Sequence, residues 1–384
     1  MTPAPRPGHP SGQGRERQGL SKLGLRSISL KDRSCFKDGL SSMNLRYRSF
    51  HPRDATACQQ LLQRYPEYSP QVFAALPTFW KRLFDEQAII AAVIEDCQPG
   101  MPGTIVAFGA DVFVTDGFMA EARAGCEPGI VNRLIRGELY DKLTPILRLD
   151  AIARANAGAG LNVIIIHNGL PELPTSVSMQ AIGFKFQEAF TWAHRGYRIK
   201  EILHEVWDET DREWVRALHR LRADYSDFYG QSLCVPGVRP YLFGITREEA
   251  FENTGSITAP LFWYTPPRFQ FRQGARELLT QALEGTTDVK LAKALSISLP
   301  AVKMRWRAIY RQVESAAPEL FPPGPGHASE NSRGKEKRRC IVEYVRNHPE
   351  ELRPYCVRGM RRSEFRSKRL ATGSPAYLPK RPVR

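Results

Sequence analysis

Residues 274–313 read GARELLTQALEGTTDVKLAKALSISLPAVKMRWRAIYRQV. Helical periodicity divides this stretch into three. Ala275–Glu284 is expected as a first helix, closed by Gly285, which can take the left-handed turn that ends many helices. Thr287 caps a second helix, Asp288–Leu295, and Asp288 sits at its positive end. Ser296, Ile297 and Ser298 form a short turn, and Ser298 caps a third helix over about 299–313. Two helices joined by so short a turn make a helix-turn-helix.

At 100° per residue the third helix separates into two faces. Val302, Trp306, Ile309 and Val313 share one narrow arc, the side expected to be buried. Lys303, Arg307 and Arg311 share the opposite side, flanked by Met304, with Arg305 near the boundary. A recognition helix needs this division: an apolar stripe to anchor it and a cationic face for the major groove. Lysine or arginine can bind guanine O6 and N7 or phosphate there, and Met304 can touch a thymine methyl.

The run from Gly285 to Val313 resembles the C-terminal domain of LuxR-type regulators. Gly285, Thr287, Asp288, Leu291, Ala292, Leu295, Ile297, Ser298, Val302, Lys303 and Ile309 fall on that family's pattern in order. The resemblance covers roughly 40 residues. It implies double-stranded DNA as partner and a groove-facing set of Lys303, Met304 and Arg307. Arg305 stands where the family usually has His, so a phosphate contact is expected there. Arg311, Ser298 and Lys290 complete the expected DNA-binding set. Ala301 replaces the usual Thr, and Pro318, Pro322 and Pro323 interrupt the place of the family's fourth helix. Dimerisation by that route is therefore not carried over. A further helix over about 334–347, with Ile341, Tyr344 and Val345 beside Lys335, Lys337, Arg338 and Arg339, can substitute or add phosphate contacts. Two alternatives stay open: the related helix-turn-helix of sigma-factor C-terminal regions, and an ordinary three-helix cluster with solvated basic residues.

Charge follows the same division. The chain of 384 residues carries a formal net charge of +15. By segment it is roughly +5 over 1–43, −4 over 44–267, +6 over 268–313 and +11 over 333–384. A slightly acidic body thus precedes a basic C-terminal third, which a polyanion attracts through counterion release. With 42% hydrophobic and 10% aromatic residues there is material for real cores. No apolar run approaches the roughly 18 residues of a membrane span, and no apolar core follows the basic N-terminus, so a cytoplasmic location without membrane partner is expected. The seven cysteines show neither CxxC nor zinc spacing and read as reduced thiols; no metal is expected.

The expected domains are a disordered basic tail over 1–42, a mixed α/β domain over 44–207, a helical cover or linker over 208–267, the helix-turn-helix with its extra helix over 268–350, and a basic disordered tail over 351–384. The class is α+β. Met43, directly before the first strand, is a candidate translation start. Strands are expected at 44–50, 88–95, 104–114, 161–167 and 183–194. Helices are expected near 53–64, 69–84, 130–142, 144–155 and 176–181, and from 208, where Trp214, Leu218 and Leu221 are spaced near 3.6. Met179, Ile182 and Phe184 are expected in the core.

This order resembles the acyl-CoA N-acyltransferase (GNAT-like) fold. LRYRSFHPRD, residues 45–54, resembles its opening strand and turn, and IGFKFQEAF, 182–190, its late helix-to-strand passage. That fold holds pyrophosphate with a glycine-rich turn between a strand and a helix. Here the nearest run, Arg154 to Gly160, is one residue too long and precedes a strand, so cofactor binding is not carried over and no cofactor is expected; Gly158 and Gly160 read as turn glycines. Glu95 and Asp96 read as solvated, and His167 and His194 as structural, so no catalytic residue is assigned. Phe113, Phe184, Phe186 and Trp192 are candidates to line a pocket for a small-molecule effector. Two functions follow. One is a DNA-binding transcriptional regulator with a sensing or scaffold domain in front. The other is an N-acyltransferase with a C-terminal nucleic-acid-binding module.

Overall fold

In a computed structural model the strand Thr104–Val114 (β3) sorts its side chains between two cores by simple alternation. Phe108, Ala110, Val112 and Val114 join a cluster on one face, while Phe113 joins another on the reverse. The structure describes residues 44–62, 68–97, 103–125, 127–141, 144–170, 176–207, 209–225, 240–252, 255–321 and 330–355. The expected tail over 1–42, Met43, the turn at 99–102, and residues 356–384 of the expected tail over 351–384 lie outside them, as do the side chains of Met179 and Trp214. The first residues of that C-terminal stretch instead close a short 3-10 turn, Pro349–Leu352, with Glu351 buried.

Six further strands join β3: Leu45–Ser49 (β1), Ile90–Asp96 (β2), Leu161–Gly169 (β4), Ile199–Val206 (β5), Arg220–Asp224 (β6) and Tyr241–Thr246 (β7). Their order in the sheet is β1-β2-β3-β4-β5-β7-β6, and only β4 and β5 run parallel. The α+β class is thus met by a mixed seven-stranded sheet. β5, β6 and β7 were not anticipated, and β6 and β7 carry the sheet into the stretch expected as helical cover.

One face of the sheet is covered by helices Ala55–Leu61 (α1), Pro70–Asp85 (α2) and Ile130–Arg136 (α4), the last preceded by Asp116–Arg123 (α3). α2 starts where its sequence says: Ser69 Oγ accepts from the Val72 N–H, and Pro70 occupies the first turn. Val72, Leu76, Phe79, Trp80 and Leu83 form its buried stripe. Pro77 lies inside this helix and has no N–H for the Phe73 carbonyl; Gln59 Nε2 donates to that oxygen instead, at 2.6 Å.

The other face carries Ser176–His194 (α6), packed on β1, β2 and β3, together with Leu149–Ala157 (α5) and Arg247–Glu252 (α8). Here the expected strand over 183–194 is corrected: the segment is helical throughout. Ile182, Ala189 and Ala193 are buried at helical spacing, while Phe184 is 73% exposed rather than in the core. Phe186 points at Gly109 of β3, where a Cβ would come within 2.6 Å of its ring. α5 starts at Leu149 rather than near 144, because Ile146 bridges to Val114 at the end of β3. The helix Glu209–Leu218 (α7) ends before Leu221, which belongs to β6 and is half-exposed.

The C-terminal helices are Gln273–Ala282 (α9), Asp288–Ala294 (α10), Leu299–Ala316 (α11) and Glu330–Asn347 (α12). They close over their own core of Phe269, Phe271, Leu278, Leu279, Leu291, Val302, Trp306, Ile309, Val313, Ile341 and Val345. Among the described residues no helix is long and apolar enough to cross a membrane.

Candidate nucleic-acid interface

The turn that sets the angle between α10 and α11 is built from local hydrogen bonds. Thr287 Oγ1 accepts from the Lys290 N–H, and Ser298 Oγ from the Ala301 N–H, so both helices have the caps expected of them. Between them the Ile297 N–H returns to the Ala292 carbonyl and Ser296 takes φ +52. This bend leaves α11 lying across α9 and α10 with Val302, Trp306, Ile309 and Val313 turned inward.

The outward side of α11 is cationic. Lys303, Arg307 and Arg311 are exposed, and Met304 beside them is 66% exposed. Lys290 is exposed on α10, as are Lys293 and Val289, which sequence reasoning did not single out. Their spacing of three and four residues on one short helix was the signal available. Among the described residues none of Lys290, Lys293, Lys303, Arg307 and Arg311 forms an ion pair. Among the described residues nothing neutralises their charge.

Arg305 departs from the expected phosphate contact. It is half-buried, its Nη1 donates to the Gly274 carbonyl at 3.1 Å, and it lies 3.9 Å from Glu277. It ties α11 to the start of α9. Ser298 is likewise committed to its cap. Arg338 of α12 is occupied too: it donates to Asp288 Oδ1 and the Thr286 carbonyl at 2.7 and 2.6 Å, and its guanidinium lies 4.9 Å from the centre of the Trp306 ring. Tyr310 donates to the Gly334 carbonyl, and burial pushes its hydroxyl up to about 12. α12 thus packs against the inner side of α10 and α11, and among the described residues the cationic side of α11 is left uncovered.

The C-terminal helices are pinned to the sheet domain through α6. Arg195 reaches Glu350 Oε1 at 2.9 Å, and Arg353 donates to the carbonyls of Ala193 and Arg195. Glu351, fully buried, accepts from the N–H groups of Arg268 and Phe269.

In the sheet domain the sites weighed from sequence are placed as follows. Glu95 is buried rather than solvated. Burial alone would raise its carboxyl, but hydrogen bonds from Arg46 and Arg48 hold it below the usual range. His167 is buried and accepts from Trp80 Nε1 at 3.4 Å; His194 is buried 3.8 Å from Asp111. Burial lowers these imidazoles to about 3 and about 4, and pushes Asp111 well above the usual carboxylate range. Both histidines are core groups, but each keeps a buried Nε2 without a hydrogen-bond partner among the described residues, and His194 ends α6 rather than a strand. Gly158 and Gly160 turn the chain from α5 into β4, with Gly160 at φ +105 against the Arg198 carbonyl, and form no cradle between a strand and a helix. Phe113, Phe184, Phe186 and Trp192 do not converge. Phe113 packs on Tyr197, Trp192 on Tyr47, and Phe184 faces outward. Among the described residues no group of three or more His, Cys, Asp or Glu is arranged to hold a metal.

No family model matches the chain. No curated protein matches it. Among solved structures it is similar to the C-terminal condensation domain of Ebony in complex with beta-alanyl-dopamine, at 12% identity over 53% of this chain and 99% of that one, with a TM-score of 0.33. It is also similar to NAA60 of Arabidopsis thaliana in complex with acetyl-CoA, at 16% identity over 53% and 99%, TM-score 0.32. A third is a probable acetyltransferase of the GNAT family from Chromobacterium violaceum, at 10% identity over 54% and 90%, TM-score 0.30. Each is a partial likeness, and neither activity nor substrate is carried across.

Proposed function

We propose that the chain is a DNA-binding transcriptional regulator that reads duplex DNA with α11. One observation carries this reading: α11 buries its apolar stripe and leaves Lys303, Met304, Arg307 and Arg311 open on the opposite side. A helix held by one face and cationic on the other is the shape a major groove accepts. Lys303 and Arg307 approach base edges. Met304 offers an apolar contact to thymine methyls, and Arg311 with Lys290 meets phosphate. Arg305 and Ser298 position the helix and do not touch DNA. The sheet domain is the sensing or scaffold part.

The test is duplex binding by fluorescence anisotropy across a salt series. Binding weakens with salt, and each phosphate-contacting cation removed lowers the logarithmic slope by about 0.9. Replacing Lys303 and Arg307 with alanine weakens binding more than deleting residues 360–384. Equal or greater loss from the tail deletion would make the tail, not α11, the nucleic-acid contact.

A second reading, N-acyltransferase activity in the sheet domain, is favoured by the parting of β4 and β5. Their pairing stops at Ile165 and His204, and the two strands continue against β3 and β7 respectively. The carboxyl ends of diverging parallel strands are a common ligand position. Against it, the sequence after β4 is Leu-Pro-Glu-Leu-Pro-Thr over 170–175, with no glycine and two residues lacking an N–H to give a phosphate. Calorimetry with acetyl-CoA separates the two: no heat at millimolar concentration removes the acyltransferase reading.

A further inference from the structure

A cleft of about 660 Å³ opens at the end of the sheet where β4 and β5 begin, walled by α3 on one side and by the start of α8 on the other. Its volume is that of a small-molecule site. Most of its lining is charged or polar. Lys200 pairs with Asp116 at 2.5 Å, and Asn162 donates to the same carboxylate at 2.7 Å. Arg123 pairs with Glu201 Oε2 at 2.7 Å. Arg198, whose guanidinium lies 4.6 Å from the centre of the Tyr264 ring, Arg247 and Glu248 complete its charged part.

Two buried atoms of this wall lack a hydrogen-bond partner among the described residues: Glu201 Oε1 and Arg198 Nε. Glu201 is only 4% exposed, so its free oxygen has no bulk water to compensate it. A buried carboxylate oxygen left without a donor is costly, and native structures rarely keep one without a use. The acceptor and the donor stand three residues apart on one strand entry. A simple anion would set a second negative charge against Glu201. A simple cation would face Arg123, Arg198 and Arg247. A ligand carrying both charges close together meets both demands.

We propose that this cleft binds a free α-amino acid, its ammonium on Glu201 and its carboxylate on Arg198 and Arg247. The remaining lining, Met119 among Lys200, Thr246 and Glu248, receives the side chain. The site lies in the sheet domain and does not depend on the DNA-binding reading.

The experiment is thermal-shift screening of the full chain against each of the twenty common L-amino acids, followed by calorimetry. Propionate and ethylamine serve as the two half-ligands. At least one amino acid is expected to bind, with neither half-ligand binding alone. Glu201→Gln, which keeps the shape and removes the charge, is expected to weaken that binding roughly tenfold or more. Arg247→Gln, at a half-exposed position, is the second variant and is expected to do the same; it decides the matter should Glu201→Gln fail to fold. Absence of any amino-acid binding overturns the proposal. So does propionate binding as tightly as an amino acid, or an affinity unchanged in a folded variant.

Discussion

Ser296 holds φ at +52 in the bend between α10 and α11. A side chain in that region costs about 1–2 kcal/mol, and glycine avoids the cost. Ser296→Gly is therefore expected to raise stability by about 1 kcal/mol, read as a higher urea midpoint; an unchanged midpoint would mean the bend is not strained. Gln59 answers a different local demand. Pro77 cannot donate to the Phe73 carbonyl, and the Gln59 amide does so from a neighbouring helix. Gln59→Ala leaves that oxygen without its donor and is expected to cost about 1–2 kcal/mol by the same measurement. No loss would mean that water replaces the amide. Caps of this kind are legible in sequence, because Ser69, Thr287 and Ser298 act on residues three positions away. The Gln59 contact is not, since its acceptor lies 14 residues downstream and is free only because of a proline. Glu95 is illegible for a related reason: its arginine partners are on the neighbouring strand β1, 49 and 47 residues away in sequence.

Elements show where periodicity suffices and where it misleads. In α11 the period is clean, and the buried set is the one expected from sequence. Trp306→Ala removes the centre of that stripe and the surface on which Arg338 lies, so about 3–5 kcal/mol of stability is expected to go, with DNA binding lost alongside. Lys303→Ala is expected to weaken DNA binding with the thermal midpoint unchanged. If both variants unfolded alike, Lys303 would be a structural residue. α6 misleads because Phe184 and Phe186 alternate around Lys185 and imitate a strand. Only Ile182, Ala189 and Ala193 beneath them carry the helical period that packing obeys. β5 was missed for the opposite reason. Its Glu201, His204 and Glu205 break up the apolar alternation that marks a strand, yet all are buried. Arg123 reaches Glu201, and the backbone N–H of Gly129 at the start of α4 donates to Glu205. Partners brought by other elements make a charged strand central.

At the scale of the molecule, buried titratable groups set the response to acid. Burial lowers His167 and His204 to about 3 and His194 and His219 to about 4, so each is neutral in the folded chain. Their stabilising effect is complete above the unfolded value of 6.5 and is lost as pH falls toward the folded values. Burial pushes Glu205 up to about 7, and Asp111 up as well, which works the other way: that contribution is present at low pH and lost as pH rises. Burial raises Glu351 in the same sense as Glu205 and Asp111, but four imidazoles outweigh these three carboxyls, so stability is expected to fall on acidification below pH 6.5. Urea titrations from pH 7 to 5 check this; a flat profile would mean the histidines are not buried neutral. Glu205→Gln should steepen the fall, because it removes one opposing group. None of these groups lies on the cationic side of α11, whose buried side rests on α9, α10 and α12. The central claim is tested most directly by genome-wide DNA capture with the wild-type chain and a variant carrying Lys303→Ala and Arg307→Ala. The regulator account predicts a discrete set of enriched sites sharing a sequence, and their loss in the variant. Identical enrichment from both proteins, or none above background from the wild type, would contradict it.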